Sequence, residues 1–210
     1  MLPKIIHHIV GPKQNKVVRQ CLKSWRMLKT YGYEIKIWND ESILIFVREN
    51  YPFALQPILE ARNHAEVADI ARYLIIYHYG GHYYDWDIQL LDIPLFLGLS
   101  EKNRDGYLLE DPIDGSIASE AFCAKKNESY LYNVVEDITE IYDKGIRDSL
   151  QTFSYSGPYR MRDTLQKNKN SSQSVIPVKD VFLYDYREIK EMPNRIDSKP
   201  MIHYWLHSWL

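Results

Sequence analysis

The chain has 210 residues, with 26 Lys+Arg set against 28 Asp+Glu for a formal charge of −2. That balance argues against nucleic acid as the principal partner, because phosphate backbones demand a basic excess. At 45% hydrophobic and 26% charged, the composition excludes extensive disorder, and no run approaches the ~20 apolar residues of a membrane span. Cys21 and Cys123 are the only cysteines, too few for a disulfide framework or a Cys-built zinc site. A reducing, cytosolic setting is therefore expected, as is the absence of a signal peptide.

Strand-like and helix-like runs alternate along the chain, which predicts an α/β layer fold. Lys4–Val10 is β-branched and closed by Gly11-Pro12, as a buried first strand would be. Val17–Leu28 carries helical spacing, and Tyr33–Trp38 alternates as a second strand. Asp40 is the expected cap of a helix running to about Tyr51. His64–Tyr79 is the strongest helix, with an apolar stripe through Val67, Ile70, Leu74 and Tyr77 and a polar line through Glu66, Asp69 and Arg72. Gly80-Gly81 ends it, and Tyr83–Leu91 follows as one extended run. Strands are expected at Tyr107–Glu110 and Ile117–Ala124, and a helix over Glu128–Tyr142. Ser156 is the expected cap of a helix with Pro158 in its first turn. Lys167–Ser174 reads as a surface loop, and Met201–Leu210 is an unusually aromatic end.

Asp85-Trp86-Asp87 carries the chemistry most directly. On a strand, residues i and i+2 face the same way, so the two carboxylates would converge and Trp86 would turn away. Two hard oxygen ligands suit Mg²⁺ or Mn²⁺ with positions left for phosphate oxygens. With 15 Asp in the chain, this spacing is expected about once by chance, so its context decides. One turn of helix upstream, Asp69 and Arg72 share a face; as a surface ion pair they would be worth little. As ligands, Asp69 would accept from sugar hydroxyls and Arg72 would pair with phosphate or a further hydroxyl.

The run Ala65–Ile88 (AEVADIARYLIIYHYGGHYYDWDI) resembles the signature block of glycosyltransferase family 32, with Asp69, Arg72, Gly80, Gly81, Tyr83, Tyr84, Asp85 and Asp87 in order. Pro3–Gly11 resembles that family's first strand, and Ser24–Glu41 its Trp–helix–strand–Trp-x-Asp segment. The resemblance implies a GT-A-like fold, a mixed central sheet flanked by helices, as a single domain over 1–210. Residues 1–92 would hold the nucleotide sugar, and 93–210 would supply the acceptor side and a tail contacting metal and diphosphate. It further implies a metal-dependent, retaining hexosyltransferase using Mn²⁺ or Mg²⁺ and a nucleotide-sugar donor, UDP-hexose favoured. The acceptor would be a glycan or lipid-linked saccharide, in bacterial surface polysaccharide synthesis, with the enzyme peripheral at the inner membrane face.

In that frame Asp85 and Asp87 are the catalytic pair and, with His203, the metal ligands; Asp69, Arg72 and Asp85 bind the donor sugar. His7, Ser208 and Trp209 contact the nucleotide and diphosphate, and His207 is a weaker ligand candidate than His203. Double displacement and same-face attack both stay open. Two other readings are an aspartate-nucleophile phosphatase, with Asp85 attacking phosphorus, and a non-catalytic carbohydrate-binding module built on Tyr and Trp faces.

Overall fold

The computed structural model describes residues 2–168, 171–194 and 197–206. The first strand is β1 (Ile5–Ile9), followed by α1 (Lys16–Ser24), a 3₁₀ segment over Trp25–Tyr31, and β2 (Glu34–Trp38). Next comes α2 (Asp40–Asn50), capped by Asn39 and not by Asp40. The Asn39 side chain accepts from the Ser42 N–H while the Ser42 hydroxyl accepts from the Asn39 N–H. This reciprocal box leaves Asp40 inside the first turn, where its charge suits the helix dipole.

A short α3 (Leu55–Leu59) leads to α4 (His64–Tyr79), capped by Asn63, whose side chain accepts from the Glu66 N–H. The expected amphipathic stripe is absent, because α4 is buried on nearly every side. Ile70, Ala71, Tyr73, Leu74, Ile75 and Ile76 are wholly enclosed, and Glu66, Asp69 and Arg72 are buried with them. A helix apolar on all faces belongs in an interior, and α4 lies between the sheet and α6 (Ser129–Asp143). Its charged residues therefore need partners inside the protein.

The extended run after Gly80-Gly81 splits into β3 (Gly81–Tyr84) and β4 (Ile88–Leu90), with Asp85–Asp87 in a turn between them. A helix that the sequence reading passed over, α5 (Ile93–Lys102), is capped by Asp92. Then come β5 (Gly106–Glu110), β6 (Ile117–Ala124), α6, a one-turn α7 (Thr152–Tyr155), α8 (Pro158–Lys167), β7 (Ser174–Pro177) and β8 (Met201–His203). Gly157, not Ser156, occupies the cap position of α8. The expected loop from Lys167 is a helix end on one side and the first residue of β7 on the other.

Six strands form a mixed sheet in the order β2-β1-β3-β6-β5-β7. β1 is parallel to both β2 and β3, β6 is antiparallel to β3 and β5, and β7 is parallel to β5. One face carries an apolar cluster from α2, α4, α6 and α8, and the other a cluster built on Trp25, Leu28, Tyr84, Phe96 and Tyr107. The expected helix-flanked mixed sheet is therefore present. A separate antiparallel pair, β4 with β8, sets Ile88 opposite His203.

Gly81 joins α4 to β3 and so aims the acidic turn. Its φ is +100°, and a Cβ there would stand 2.6 Å from the Ile5 carbonyl oxygen, a backbone atom that cannot step aside. Gly81→Ala is expected to destabilise the protein by more than about 2 kcal/mol. Urea unfolding monitored by Trp fluorescence measures this, with the midpoint moving down.

Candidate active site

The carboxylates of Asp85 and Asp87 meet without a strand to align them. The Asp85 N–H donates to the Glu120 carbonyl at 2.9 Å, and the Ile88 N–H donates back to the Asp85 carbonyl at 3.1 Å, closing a tight turn. Trp86 points away into a small cluster with Val10 and Val18, so the pattern read from the sequence survives although its strand premise does not. The β4–β8 register then brings His203 alongside. Its Nε2 lies 3.3 Å from Asp87 Oδ1, and ligand atoms of Asp85, Asp87 and His203 fall within 4.8 Å of one another.

This donor set fits a small divalent cation. Two carboxylate oxygens and one imidazole nitrogen suit Mn²⁺ well, and Mg²⁺ through the oxygens. His203 is 4% exposed, and its Nδ1 has no hydrogen-bond partner among the described residues, with Glu120 Oε1 at 3.8 Å. Ligating imidazoles commonly turn their second nitrogen to such a carboxylate. Burial alone would drive the His203 ring toward neutrality, but Asp87 and Glu120 outweigh it and hold its pKa up. For Asp87 the balance runs the other way: burial raises it, and His203 with the Leu206 N–H at 2.9 Å brings it below the usual range.

Arg72 organises the sugar-side half. Its guanidinium is 3% exposed and lies 3.3 Å from Asp69 Oδ1 and 3.4 Å from Asp85 Oδ1. It also donates to the carbonyls of Ser119 at 2.7 Å and Ala68 at 3.2 Å, over the face of Tyr83. The pair is thus buried, and the alternative of a surface ion pair does not apply. In this structure Arg72 holds the two carboxylates and two backbone carbonyls. Burial lowers its proton affinity, yet Asp85, Tyr83 and Asp69 together raise it.

Asp69 receives the Ser156 hydroxyl at 2.7 Å, and Asp85 receives the Tyr83 hydroxyl at 2.6 Å. Burial pushes Asp69 up to about 6 against the pull of Arg72 and Ser156, and burial likewise raises Asp85. Asp69, Arg72, Asp85, Asp87 and His203 line a cavity of about 350 Å³. A second cavity of about 370 Å³ adjoins it and shares Glu120, Phe153, Pro158 and Trp205. Trp205 sits in the left-handed region at φ +44°, a strained setting for a bulky residue, and its ring lies 4.1 Å from that of His203.

Sequence reasoning missed Glu120, Ser156, Tyr83 as a hydrogen-bond donor, and Trp205. Ser156 was legible as a polar residue beside Gly-Pro but carried the wrong job, that of a helix cap. His7 is a correction. It is wholly buried, Trp38 Nε1–H donates to its Nδ1 at 3.1 Å, and its Nε2 then donates to the Gly80 carbonyl at 3.1 Å. With both nitrogens engaged, and burial pulling the ring down to about 3, His7 pins β1 to the end of α4 and has no nitrogen to offer a nucleotide. His207, Ser208 and Trp209 lie outside the described residues.

A carboxyl whose folded-state pKa is raised binds its proton more tightly folded than unfolded. For Asp69, stability therefore declines as pH climbs from about 4 through about 6, and the penalty is constant above that. Asp69→Asn is expected to raise the unliganded stability at pH 7.5 by roughly 1–3 kcal/mol, with the gain vanishing near pH 4. Thermal melts of both proteins across that pH range measure it.

Residues 15–102 match the family described as "Glycosyltransferase sugar-binding region containing DXD motif". The chain is 24% identical over 162 residues to "Inositol phosphoceramide mannosyltransferase 1" of Schizosaccharomyces pombe, covering 75% of this chain and 49% of that protein. It thus spans about half the length of that relative. Among solved structures, "PaToxG Glycosyltransferase" superposes with TM-score 0.55 at 16% identity, over 80% of this chain and 70% of the other. A glycosyltransferase "involved in the glycosylation of the major capsid of PBCV-1" gives TM-score 0.51 at 15% identity, over 96% and 94%. These two likenesses establish a GT-A-like fold. Residues 15–102, which hold the acidic turn and the helix that precedes it, are thus similar to the sugar-binding region of DXD-containing glycosyltransferases.

Proposed function

We propose that the protein transfers a hexose from a nucleoside-diphosphate sugar to an acceptor hydroxyl, assisted by Mn²⁺ or Mg²⁺ and with retention at the anomeric carbon. The convergence of Asp85, Asp87 and His203 within 4.8 Å, next to a second buried carboxylate–guanidinium pair, carries this reading. A divalent ion held by these three residues would supply Lewis-acid stabilisation to the departing diphosphate. Retention and the favoured UDP donor come from the family resemblance.

The chain's own residues do the positioning. Arg72 keeps Asp69 and Asp85 available as fixed acceptors, Ser156 and Tyr83 fix their rotamers, and Asp69 then accepts from the hydroxyls of a hexose in the cavity. Fixing acceptors before the sugar arrives reduces the ordering cost of binding and favours one reactive pose. Trp205 forms a wall common to the donor cavity and its neighbour, and the neighbour is the natural seat of the acceptor. The acceptor is a hydroxyl of a glycan or lipid-linked saccharide. A surface-polysaccharide fragment and the inositol phosphoceramide named for the fission-yeast relative are the two acceptor arms to compare.

A panel of UDP-hexoses and GDP-mannose, assayed for Mn²⁺-dependent release of nucleoside diphosphate, tests the reading. At least one donor is expected to turn over slowly into water and faster with acceptor present. Asp87→Asn keeps the shape and removes the charge. It is expected to lower turnover by about 10²–10³, with an unchanged circular dichroism spectrum. Full activity of the variant at saturating Mn²⁺ would place the ion elsewhere. Release of inorganic phosphate from a simple phosphate ester would favour the phosphatase reading.

A further inference from the structure

The near-zero net charge hides an uneven distribution. The first acidic residue of the chain is Glu34, and the residues before it include Lys4, Lys13, Lys16, Arg19, Lys23, Arg26 and Lys29. The fold gathers six of these on one outer surface. α1 and the 3₁₀ segment after it bury Val18, Cys21, Trp25 and Leu28, which turns Lys13, Lys16, Arg19, Lys23, Arg26 and Lys29 outward, each exposed. Lys16, Arg19 and Lys23 recur at i, i+3 and i+7 along one stripe of α1. Arg26 and Lys29, three apart in a three-residue turn, stand one above the other. Among the described residues none of the six forms an ion pair. Arg19 donates to the Gln14 carbonyl.

Six like charges on one face repel one another and gain little in water, so the surface is complementary to an extended negative partner. The side chains set among them decide which. Met27 is 58% exposed and Tyr31 45%, an unbranched apolar chain and an amphipathic ring standing beside the cations. Phosphate-backbone binding has no use for an exposed Met. A bilayer interface does, since apolar and ring side chains enter the headgroup boundary while Lys and Arg stay with the lipid phosphates.

We propose that this face, Lys13 to Tyr31, docks the protein onto the surface of an anionic lipid bilayer. No described helix is long and apolar enough to cross one, so the attachment is peripheral. The docking face is rigidly joined to the active site. Trp25 Nε1–H donates to the Ile88 carbonyl at 2.8 Å, the Leu90 N–H donates to the Ser24 hydroxyl at 2.9 Å, and Trp86 packs on Val18. A docked molecule therefore holds its acidic turn at a set height above the lipid. If the proposed sugar transfer holds, that height favours an acceptor hydroxyl presented at the membrane surface.

Sedimentation with vesicles tests the docking, independently of turnover. With about one third phosphatidylglycerol in phosphatidylcholine, the protein is expected to sediment at ~50 mM salt and to be released at ~500 mM. With phosphatidylcholine alone it stays in solution. The triple variant Lys16→Glu, Arg19→Glu, Lys23→Glu is expected to bind more than about 100-fold more weakly. Met27→Ser with Tyr31→Ser is expected to bind about 5- to 10-fold more weakly while keeping the salt dependence. All these positions are exposed, so circular dichroism and nucleotide-sugar hydrolysis in solution should match the unmodified protein. Wild-type protein that ignores anionic vesicles at low salt overturns the proposal, as does a triple variant that binds them undiminished. Tighter binding to a duplex oligonucleotide than to vesicles, indifferent to Met27 and Tyr31, would assign the face to nucleic acid instead. Vesicle binding without any donor turnover would defeat the glycosyltransferase reading and leave the docking intact.

Discussion

The arrangement around the cleft rests on one buried cation. Arg72 lies between Asp69 on its own helix and Asp85 at the end of the neighbouring strand, with a backbone carbonyl of β6 as a further partner. Enclosed carboxylates are costly, and opposite charge repays the cost only where geometry is good and remaining lone pairs are satisfied. Here Ser156 and Tyr83 supply that satisfaction from α7's end and from β3. Because each partner sits on a different element, the guanidinium also fixes how α4, β3 and β6 stand relative to one another. Removing it would leave two buried carboxylates facing each other without their cation.

The second half of the cleft depends on a contact between distant parts of the chain. Ile88 pairs with His203, and the tail returns to bond Asp87 again, through the Tyr204 N–H to its carbonyl and the Leu206 N–H to its side chain. The two carboxylates therefore differ in environment although they stand two residues apart. Asp85 is pushed up by burial, while Asp87 is brought down by His203 and a backbone donor. A site with one carboxylate easier to protonate and one held ionised is a natural divalent-ion seat. A divalent ion bound here would be held by Asp85, Asp87 and His203, and would supply Lewis-acid stabilisation to a departing diphosphate. Glu120, on the strand that receives Asp85, stands behind His203 and completes the set.

What could be read from the sequence divides along the same line. Local patterns were legible: the long α4, the Gly-Gly joint, the two strands at the N-terminus and the pairing of Asp85 with Asp87. The convergence of those two was anticipated for the wrong reason, since a turn closed by Glu120 and Ile88 aligns them where a strand was expected. His203 was legible only through resemblance, because no local pattern fixes a strand register spanning more than a hundred residues. His7 shows the reverse failure. A histidine on a buried strand near a site suggests a ligand contact, but the Trp38 indole and the Gly80 carbonyl, which consume both its nitrogens, come from elsewhere in the chain. Ser156 was misplaced by one residue of helix geometry: once Gly157 takes the cap, the serine hydroxyl is released to Asp69.

The charge distribution ties these levels together. A cleft with Asp69, Asp85, Asp87 and Glu120 is acidic, and Arg72 is buried beside it. A run of six exposed basic residues with no ion pair among the described residues lies instead on the outside of α1 and the 3₁₀ segment after it, across the layer formed by Trp25, Trp86 and β4. Separating them in this way protects the cleft: a lysine in reach of Asp87 would compete with a divalent ion for the same oxygens. It also leaves the outer face free to act through charge at long range, where screening permits. The same segment, Lys13 to Tyr31, that seals one face of the sheet with Val18, Cys21, Trp25 and Leu28 thus presents the opposite sign of charge from the cleft behind it. One amphipathic segment sets both the packing of the acidic turn and the polarity of the molecule around it.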